Sequence, residues 1–525
     1  MKHKLFLFLL AFASCAAAQQ PFSSSLPIVI IVTDQDSATD SPIAINDSVK
    51  IGATMQILQP NGSGVVTLAD TTNADLVNYS GRIAIKTRGH TSLLSNKKSY
   101  RLETRKADDI SNNNVPLMGM PKENDWILNA LYNDPSYIRD ALTYNLGRRT
   151  GRYAPRTHHC ELFLNGVYQG IYMLSESIKV DKNRVNIKKM TADDTSGEAL
   201  TGGYIFKADH PDKDEPIAWS TPSLAGDVEV TYIHHYPKPE DITQQQHDYL
   251  YGYFSHFLTA MRHRDTVSPN NYTTFIDLES FADYMLVSEL ASNSDSYQYS
   301  TYFHKNRGGK ICAGPLWDFN QAYGNDPKGR DGYDVWQFDN GSNTGTSFWK
   351  VLFSRPPLHD RMVNRWQQLT DNGPLALNSI MTLIDSLSAT ISEAALRDKE
   401  RWGHNSDFSQ SIDSLKNWLT MRHAWMDKQL SSSNFIGPQL SADDCQVSFY
   451  PNPTRDLLHI ELSEEAASKG YSVVVVNPVG SKVMSLTNLK NSLTIDLSLM
   501  PSGVYTMRLT TADGPQSIHK IIKID

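Results

Sequence analysis

The chain has 525 residues, of which 40% are hydrophobic and 10% aromatic; this excludes a disordered or low-complexity protein and, at roughly 100–200 residues per domain, leaves room for about three domains. Its formal charge of −8 is small for that length, which excludes a whole-molecule field suited to nucleic acid or an anionic membrane. No apolar run beyond the N-terminus approaches the roughly 20 residues a spanning helix requires, so the mature chain is expected to contain no transmembrane helix.

In chain order, Lys2-His3-Lys4, the apolar run Leu5 to Phe12 and the small residues Ala13 to Ala18 have the layout of a secretory signal peptide over residues 1–18, leaving a mature chain from Gln19. Cys15 offers a competing lipoprotein cleavage site, but Phe12 fits its first position poorly. The remaining Cys160, Cys312 and Cys445 are odd in number and widely spaced; they suit neither a disulfide framework nor a zinc site, and no disulfide is expected.

From Leu26 to about residue 235 the pattern is mostly β. Pro27 to Val32 is a β-branched run, and Arg82-Ile83-Ala84-Ile85-Lys86 alternates with period two. Asp134-Pro135-Ser136 announces a helix from about Tyr137 to Arg149 that ends before Gly151. Asn165-Gly166 between two apolar runs is a strong hairpin signal, and Gly203 to Lys207 reads as a further strand. The period then changes. Helices are expected over Ile242–Met261, Leu278–Ala291 and Ser347–Gln368, and in several pieces within Leu375–Leu430. The region 19–430 is therefore α+β, with a mixed sheet, a helical C-terminal part and one hairpin at 299–317. A turn-rich linker spans 431–446. Residues 447–525 read as an all-β sandwich, with strands at Leu457–Leu462, Tyr471–Val476, Leu493–Leu497, Val504–Thr510 and Ile518–Ile524.

The hairpin carries the residues best suited to chemistry. Asn293-Ser294-Asp295 precedes it and Trp317-Asp318-Phe319-Asn320 follows it. With the turn centred between Asn306 and Arg307, antiparallel fold-back brings Asp318 beside Asp295. Two carboxylates so placed suit phosphoryl transfer, one orienting the acceptor hydroxyl and taking its proton, the other holding Mg²⁺ against nucleotide phosphates. Asn320 adds a neutral oxygen. Cations come from Lys86 to Arg101, a strand, polar loop and strand containing Arg88, Lys97, Lys98 and Arg101. On the second strand Lys98, Tyr100 and Leu102 share one face while Lys97, Ser99 and Arg101 share the other. Glu176 is a candidate partner for the lysine.

Blander roles stand beside these. The two aspartates suit caps at a hairpin end, the lysines a solvated face, and Glu176 a structural ion pair. The members of each pair His158-His159 and His234-His235 point to opposite faces of a strand, which favours surface or packing roles over metal binding. Trp317 and Phe319 are expected in the core.

Several motifs in order resemble the CotH (spore-coat protein H) kinase family: Arg88-Gly89-His90-Thr91-Ser92 with Lys97 to Arg101, Trp126 to Ala130, Tyr153-Ala154-Pro155-Arg156, Leu162 to Gly170 and Gly314 to Asn320. The resemblance covers about Leu26 to Leu430. It implies an atypical protein-kinase-like fold that binds ATP and Mg²⁺ and phosphorylates serine on a partner protein, with Asp295 as the catalytic and Asp318 as the metal-binding aspartate. The chain departs from the family at His90, where Asn or Ser is frequent, at Asn320, where a second Asp is frequent, and at Ser300, where some members have Asn.

Phe449-Tyr450-Pro451-Asn452-Pro453, Asp456-Leu457-Leu458, Pro501-Ser502-Gly503-Val504-Tyr505 and Lys520 to Lys523 are similar to the type A sorting domain of the type IX secretion system. That resemblance implies a Gram-negative host, the type IX machinery as partner, and secretion or surface attachment after passage across the outer membrane. Export also argues for a competing function, because ATP is scarce outside the cytoplasm: a catalytically inactive kinase-like surface scaffold binding protein or glycan. A third, weaker reading is a metal-dependent hydrolase using the same acidic pair.

Overall fold

The computed structural model describes residues 22–62, 64–89, 91–211, 215–222, 229–262, 271–341, 348–403, 407–431, 447–462, 471–477, 481–489, 492–511 and 516–524. Residues 1–18, read above as a signal segment, His90, Cys445 and all but the first residue of the expected linker lie outside them.

Seven strands close into a barrel: β1 (Ile28–Thr33), β2 (Ile51–Leu58), β3 (Val77–Arg88), β4 (Ser99–Arg105), β5 (Asp125–Asn129), β6 (Thr157–Leu164) and β7 (Val167–Glu176). The order around it is β6-β7-β5-β4-β3-β2-β1, and β1 returns to β6 in a parallel pairing, Ile28 opposite Glu161. Alternation fills the interior: Val29 and Ile31, Ile83 and Ile85, Tyr100 and Leu102, Trp126 and Leu128, and Tyr172 and Leu174 form one buried cluster. The other face of β5 and β7 presents Ile127, Ile171 and Met173 to a second, larger core shared with the helices. Each such buried aliphatic side chain contributes about 1.5–3 kcal/mol.

Between β6 and β7 the Asn165-Gly166 turn forms as expected, with φ of 50° and 78°. Both values lie in the left-handed region, which Asn and Gly tolerate best.

Helix α1 (Arg139–Arg149) lies between β5 and β6 in sequence. Beyond the barrel come β8 (Tyr204–Ala208), β9 (Trp219–Pro222) and β10 (Glu229–Tyr236), then α2 (Gln244–Arg262), α3 (Leu278–Ala291) and the hairpin β11 (Thr301–Lys305) and β12 (Ile311–Ala313). The hairpin joins the earlier strands in one sheet, β9-β10-β8-β11-β12. Helices α4 (Phe348–Phe353), α5 (Pro356–Thr370), α6 (Leu377–Trp402) and α7 (Phe408–Gln429) complete the region. The single helix expected over Ser347–Gln368 is two, because Pro356 and Pro357 lack the N–H groups an interior turn needs and suit a first turn instead.

The turn of β11–β12 also differs from expectation. Phe303 pairs with Ala313 and Lys305 with Ile311, which centres it on Gly308, at φ 65°, and not between Asn306 and Arg307. Pro315 has no N–H to donate, so the ladder stops before it reaches Asp318.

The C-terminal region is all β. A three-stranded sheet is built from β13 (Val447–Tyr450), β14 (Leu457–Leu462) and β17 (Leu493–Asp496), and a four-stranded sheet from β15 (Tyr471–Val476), β16 (Lys482–Leu489), β18 (Gly503–Thr511) and β19 (Gln516–Lys523). Leu458, Ile460, Val473, Val475, Met507 and Leu509 share its core. Strands β13 and β16 were not expected. In β16 Met484 and Leu486 are only partly buried and alternate with the exposed Ser485 and Thr487.

Candidate active site

Helix α1 is anchored at its start by Asp134, which accepts from the backbone N–H groups of Ser136 and Arg139, both at 2.9 Å, and from the Arg139 guanidinium. Arg139 Nε in turn donates to the Ala322 carbonyl at 3.0 Å. The helix therefore lies against the segment that follows Asp318. Asp140 accepts the Phe319 N–H at 2.7 Å, Tyr144 accepts the Asp318 N–H at 3.0 Å, and the Tyr144 and Trp317 rings stack.

Asp295 arrives from α3. That helix ends at Ser292, whose φ of 46° turns the chain. The buried Glu289 secures the turn beyond it, bonding to Arg422 at 3.0 Å, the Tyr297 hydroxyl at 2.7 Å and the Gln337 N–H at 2.9 Å. Asn293 then bridges the two aspartates: its Nδ2 donates to the Asp318 carbonyl at 3.2 Å, and its Oδ1 accepts the Asp295 N–H at 3.3 Å. Side-chain and loop contacts thus join Asp295 to Asp318, in place of the continuous ladder the sequence suggested.

Backbone strain concentrates here. Tyr297, Ser300 and Asp318 have φ of 79°, 48° and 62°, a region that costs non-glycine residues on the order of 1–3 kcal/mol and persists where surroundings enforce it.

The electrostatics are those of crowded carboxylates. Burial, then Asp140, then Asp295 push the Asp318 carboxyl well above the usual carboxylate range, with Arg88 opposing. Burial also raises Asp140. Burial raises Asp295, opposed by Arg330, whose Nη2 lies 3.5 Å away. Asp209, at the end of β8, accepts the Ser300 N–H at 3.2 Å, pairs with Lys207 at 3.1 Å and adds negative potential to both aspartates. Arg88 lies over the Trp317 ring, 5.5 Å from its centroid, and donates to Asn129 Oδ1 at 3.1 Å. Asn320 Nδ2 donates to Asp318 Oδ1.

Of the residues singled out from sequence, Asp295, Asp318, Asn320 and Arg88 come together. The other four do not join them. Lys97 is enclosed and bonds to Asp398 of α6 at 2.5 Å and to the Ile171 carbonyl at 2.6 Å. Lys98 donates to the Leu93 carbonyl. Arg101 is on the outer face of β4, 4.0 Å from Asp125. Glu176 is buried and takes the Arg156 guanidinium at 3.0 Å and the Tyr153 hydroxyl at 3.2 Å, so its partner is an arginine and not the lysine expected. The histidines pack as expected: His159 bonds to the Tyr137 carbonyl at 2.8 Å, His235 to the Ile178 carbonyl at 3.0 Å, and His234 to His247 at 2.9 Å.

Sequence reasoning missed Asp140, Asp209 and Arg330. Asp140 and Tyr144 sit one turn apart on α1, and that spacing on a polar helix start was the available signal. Asp209 and Arg330 lie in loops whose place depends on tertiary contacts.

Among the described residues no three His, Cys, Asp or Glu side chains group closely enough to hold a metal ion by themselves. The donor set nevertheless suits Mg²⁺, which uses one or two carboxylates together with water and phosphate oxygens. The carboxyls of Asp318 and Asp140 are both held above their usual range, with Arg88 opposing; an added divalent cation would relieve that crowding. Also among the described residues, no helix is long and apolar enough to cross a membrane.

A family model described as CotH kinase protein matches residues 85–426, and one described as Secretion system C-terminal sorting domain matches residues 448–524. No curated protein matches the chain.

Proposed function

We propose, from the premise that this chain belongs to the CotH kinase family, that it transfers the γ-phosphate of ATP to a serine hydroxyl of a partner protein. The observation that carries this reading is the meeting of Asp295 and Asp318 through Asn293, with Arg88 beside Asp318. The chain order of helix, aspartate loop, short hairpin and second aspartate gives each carboxylate a separate task. Asp295, partly neutralised by Arg330, orients the acceptor hydroxyl and takes its proton. Asp318 and Asn320 would hold Mg²⁺, which supplies charge neutralisation at the transferring phosphate. Arg88 balances the phosphates. Asp140 holds the Phe319 N–H and so fixes the backbone on which Asp318 sits.

In this reading residues 19–430 form an atypical kinase-like region, 431–446 a linker, and 447–525 an Ig-like sorting sandwich used once. The sorting domain supports export across the outer membrane of a Gram-negative cell by the type IX machinery, after removal of residues 1–18.

A second reading, a scaffold without catalysis, draws on the sequestration of Lys97 by Asp398 and of Glu176 by Arg156. Lys97 and Glu176 thus do not pair with each other as the nucleotide-gripping lysine and glutamate of protein kinases do. Calorimetry of Mg²⁺-dependent ATP binding by the full chain, with Asp318→Ala beside it, separates the two. Binding lost in the variant supports the kinase reading; no binding by the unsubstituted chain leaves the scaffold.

A further inference from the structure

Behind the segment that carries Asp318 lies a separate cavity of about 240 Å³, walled by the C-terminal end of α1, by α3, by the turn at Arg184–Asn186 and by Gly314–Leu316. Its volume is below the roughly 300–1,000 Å³ of pockets for drug-sized ligands, which confines an occupant to a small molecule. Val185, Tyr284, Val287 and Leu316 give it an apolar wall.

The charged side is not balanced. Asp283 accepts from Arg152 at 2.8 Å and from Arg365 at 2.7 Å, and Arg152 also lies 3.5 Å from Asp277. Glu176 serves Arg156 at 3.0 Å and Arg184 at 3.8 Å. Arg148 donates to the carbonyls of Ala154 and Pro155. Five guanidiniums thus gather round three carboxylates. Arg184 lines the cavity with its side chain 1% exposed, and among the described residues its Nη2 has no hydrogen-bond partner. An unmet buried donor is costly, and an incoming acceptor removes that cost.

We propose that this cavity binds a small anion with one carboxylate or phosphate head, the head at Arg152 and Arg184 and an apolar body against Val287 and Leu316. The site is distinct from the carboxylate cluster and stands whether or not that cluster transfers phosphate.

Benzoate and phenyl phosphate present the two heads on one body, and calorimetric titration of the full chain with each is the test. The expected result is saturable binding of at least one probe. It weakens at least tenfold in Arg152→Gln and in Asn186→Trp, which fills the exposed rim, recovers in part in Arg152→Lys, and is unchanged in Asp318→Asn. A preference for phenyl phosphate identifies the ligand as a phosphomonoester, and a preference for benzoate identifies it as a carboxylate. Thermal melts check that each variant folds, and either rim substitution alone carries the test if the other does not. Failure of both probes to bind, equal binding by the substituted chains, or loss of binding in Asp318→Asn overturns the proposal.

Discussion

Asp140 accepts the backbone N–H of Phe319 at 2.7 Å, so a carboxylate on α1 grips the residue next to Asp318 and faces it with like charge. Asp140 favours protonation of Asp318, and burial raises both carboxyls.

Removing charge there should stabilise the free protein. A carboxyl raised on folding favours the folded state at low pH and loses that contribution as pH rises through its folded pKa, so ionised Asp318 opposes folding at pH 8. Asp318→Asn is expected to raise stability at pH 8 by about 1–3 kcal/mol and to change it little at pH 4. Urea unfolding at the two pH values checks this, and Mg²⁺-dependent nucleotide binding should fall in the same variant.

The enclosed pair of Lys97 and Asp398 ties the barrel to α6, with Asp398 also accepting the Ile171 N–H at 2.8 Å and the Tyr137 hydroxyl at 3.1 Å. Lys97→Met takes the ammonium away from that buried carboxylate, and a loss of about 3–5 kcal/mol is expected in urea unfolding. A Lys97→Met protein as stable as the unsubstituted chain would refute the structural role.

Glu289 and Arg422 form a comparable buried pair beneath the Asp295 loop. Arg422→Met is expected to cost about 3–5 kcal/mol, and Tyr297→Phe, which removes one hydroxyl bond to Glu289, about 0.5–1.5 kcal/mol. Limited proteolysis should show cleavage near 293–300 earlier in Arg422→Met than in Tyr297→Phe.

Two histidines make stability depend on acid. Burial lowers His234 and His235 to about 4, against about 6.5 in an unfolded chain. A depressed folded pKa gives stability that is full above the unfolded value and lost as pH falls through the folded one. The His234–His247 bond, moreover, requires one ring nitrogen to accept. The melting temperature should therefore drop between pH 6.5 and pH 4, and His235→Gln should flatten that drop. A slope unchanged by the substitution would assign it to other groups.

How far the sequence revealed this arrangement varied with range. Local signals served well: Asn165-Gly166 turned as its residues require, and α3 begins at Leu278 because Asp277 caps it, accepting the Ser280 N–H at 2.7 Å, and ends at Ala291 before the left-handed Ser292. Asp295 and Asp318 were legible because one hairpin separates them, although the ladder is shorter than the inference needed. The lysines were not. Alternation placed Lys97 on one face with Ser99 and Arg101, but a partner some 300 positions later, Asp398, decides where its amine points, and nothing in the local pattern announces it. Asp140 escaped for the same reason, since its role depends on Arg139 reaching Ala322.

The barrel has a clasp, and the clasp is its earliest strand. β1 pairs with β2 on one side and with β6 on the other, while the family match begins at residue 85, within β3. A fragment cut to that match would keep part of β3 but lose both β1 and β2. The ring would become an open sheet with Glu161 to Leu164 on one bare border and the remainder of β3 on the other, two borders that invite pairing with neighbouring molecules. Whether residues 28–58 are kept thus decides whether those two borders stay covered or lie bare.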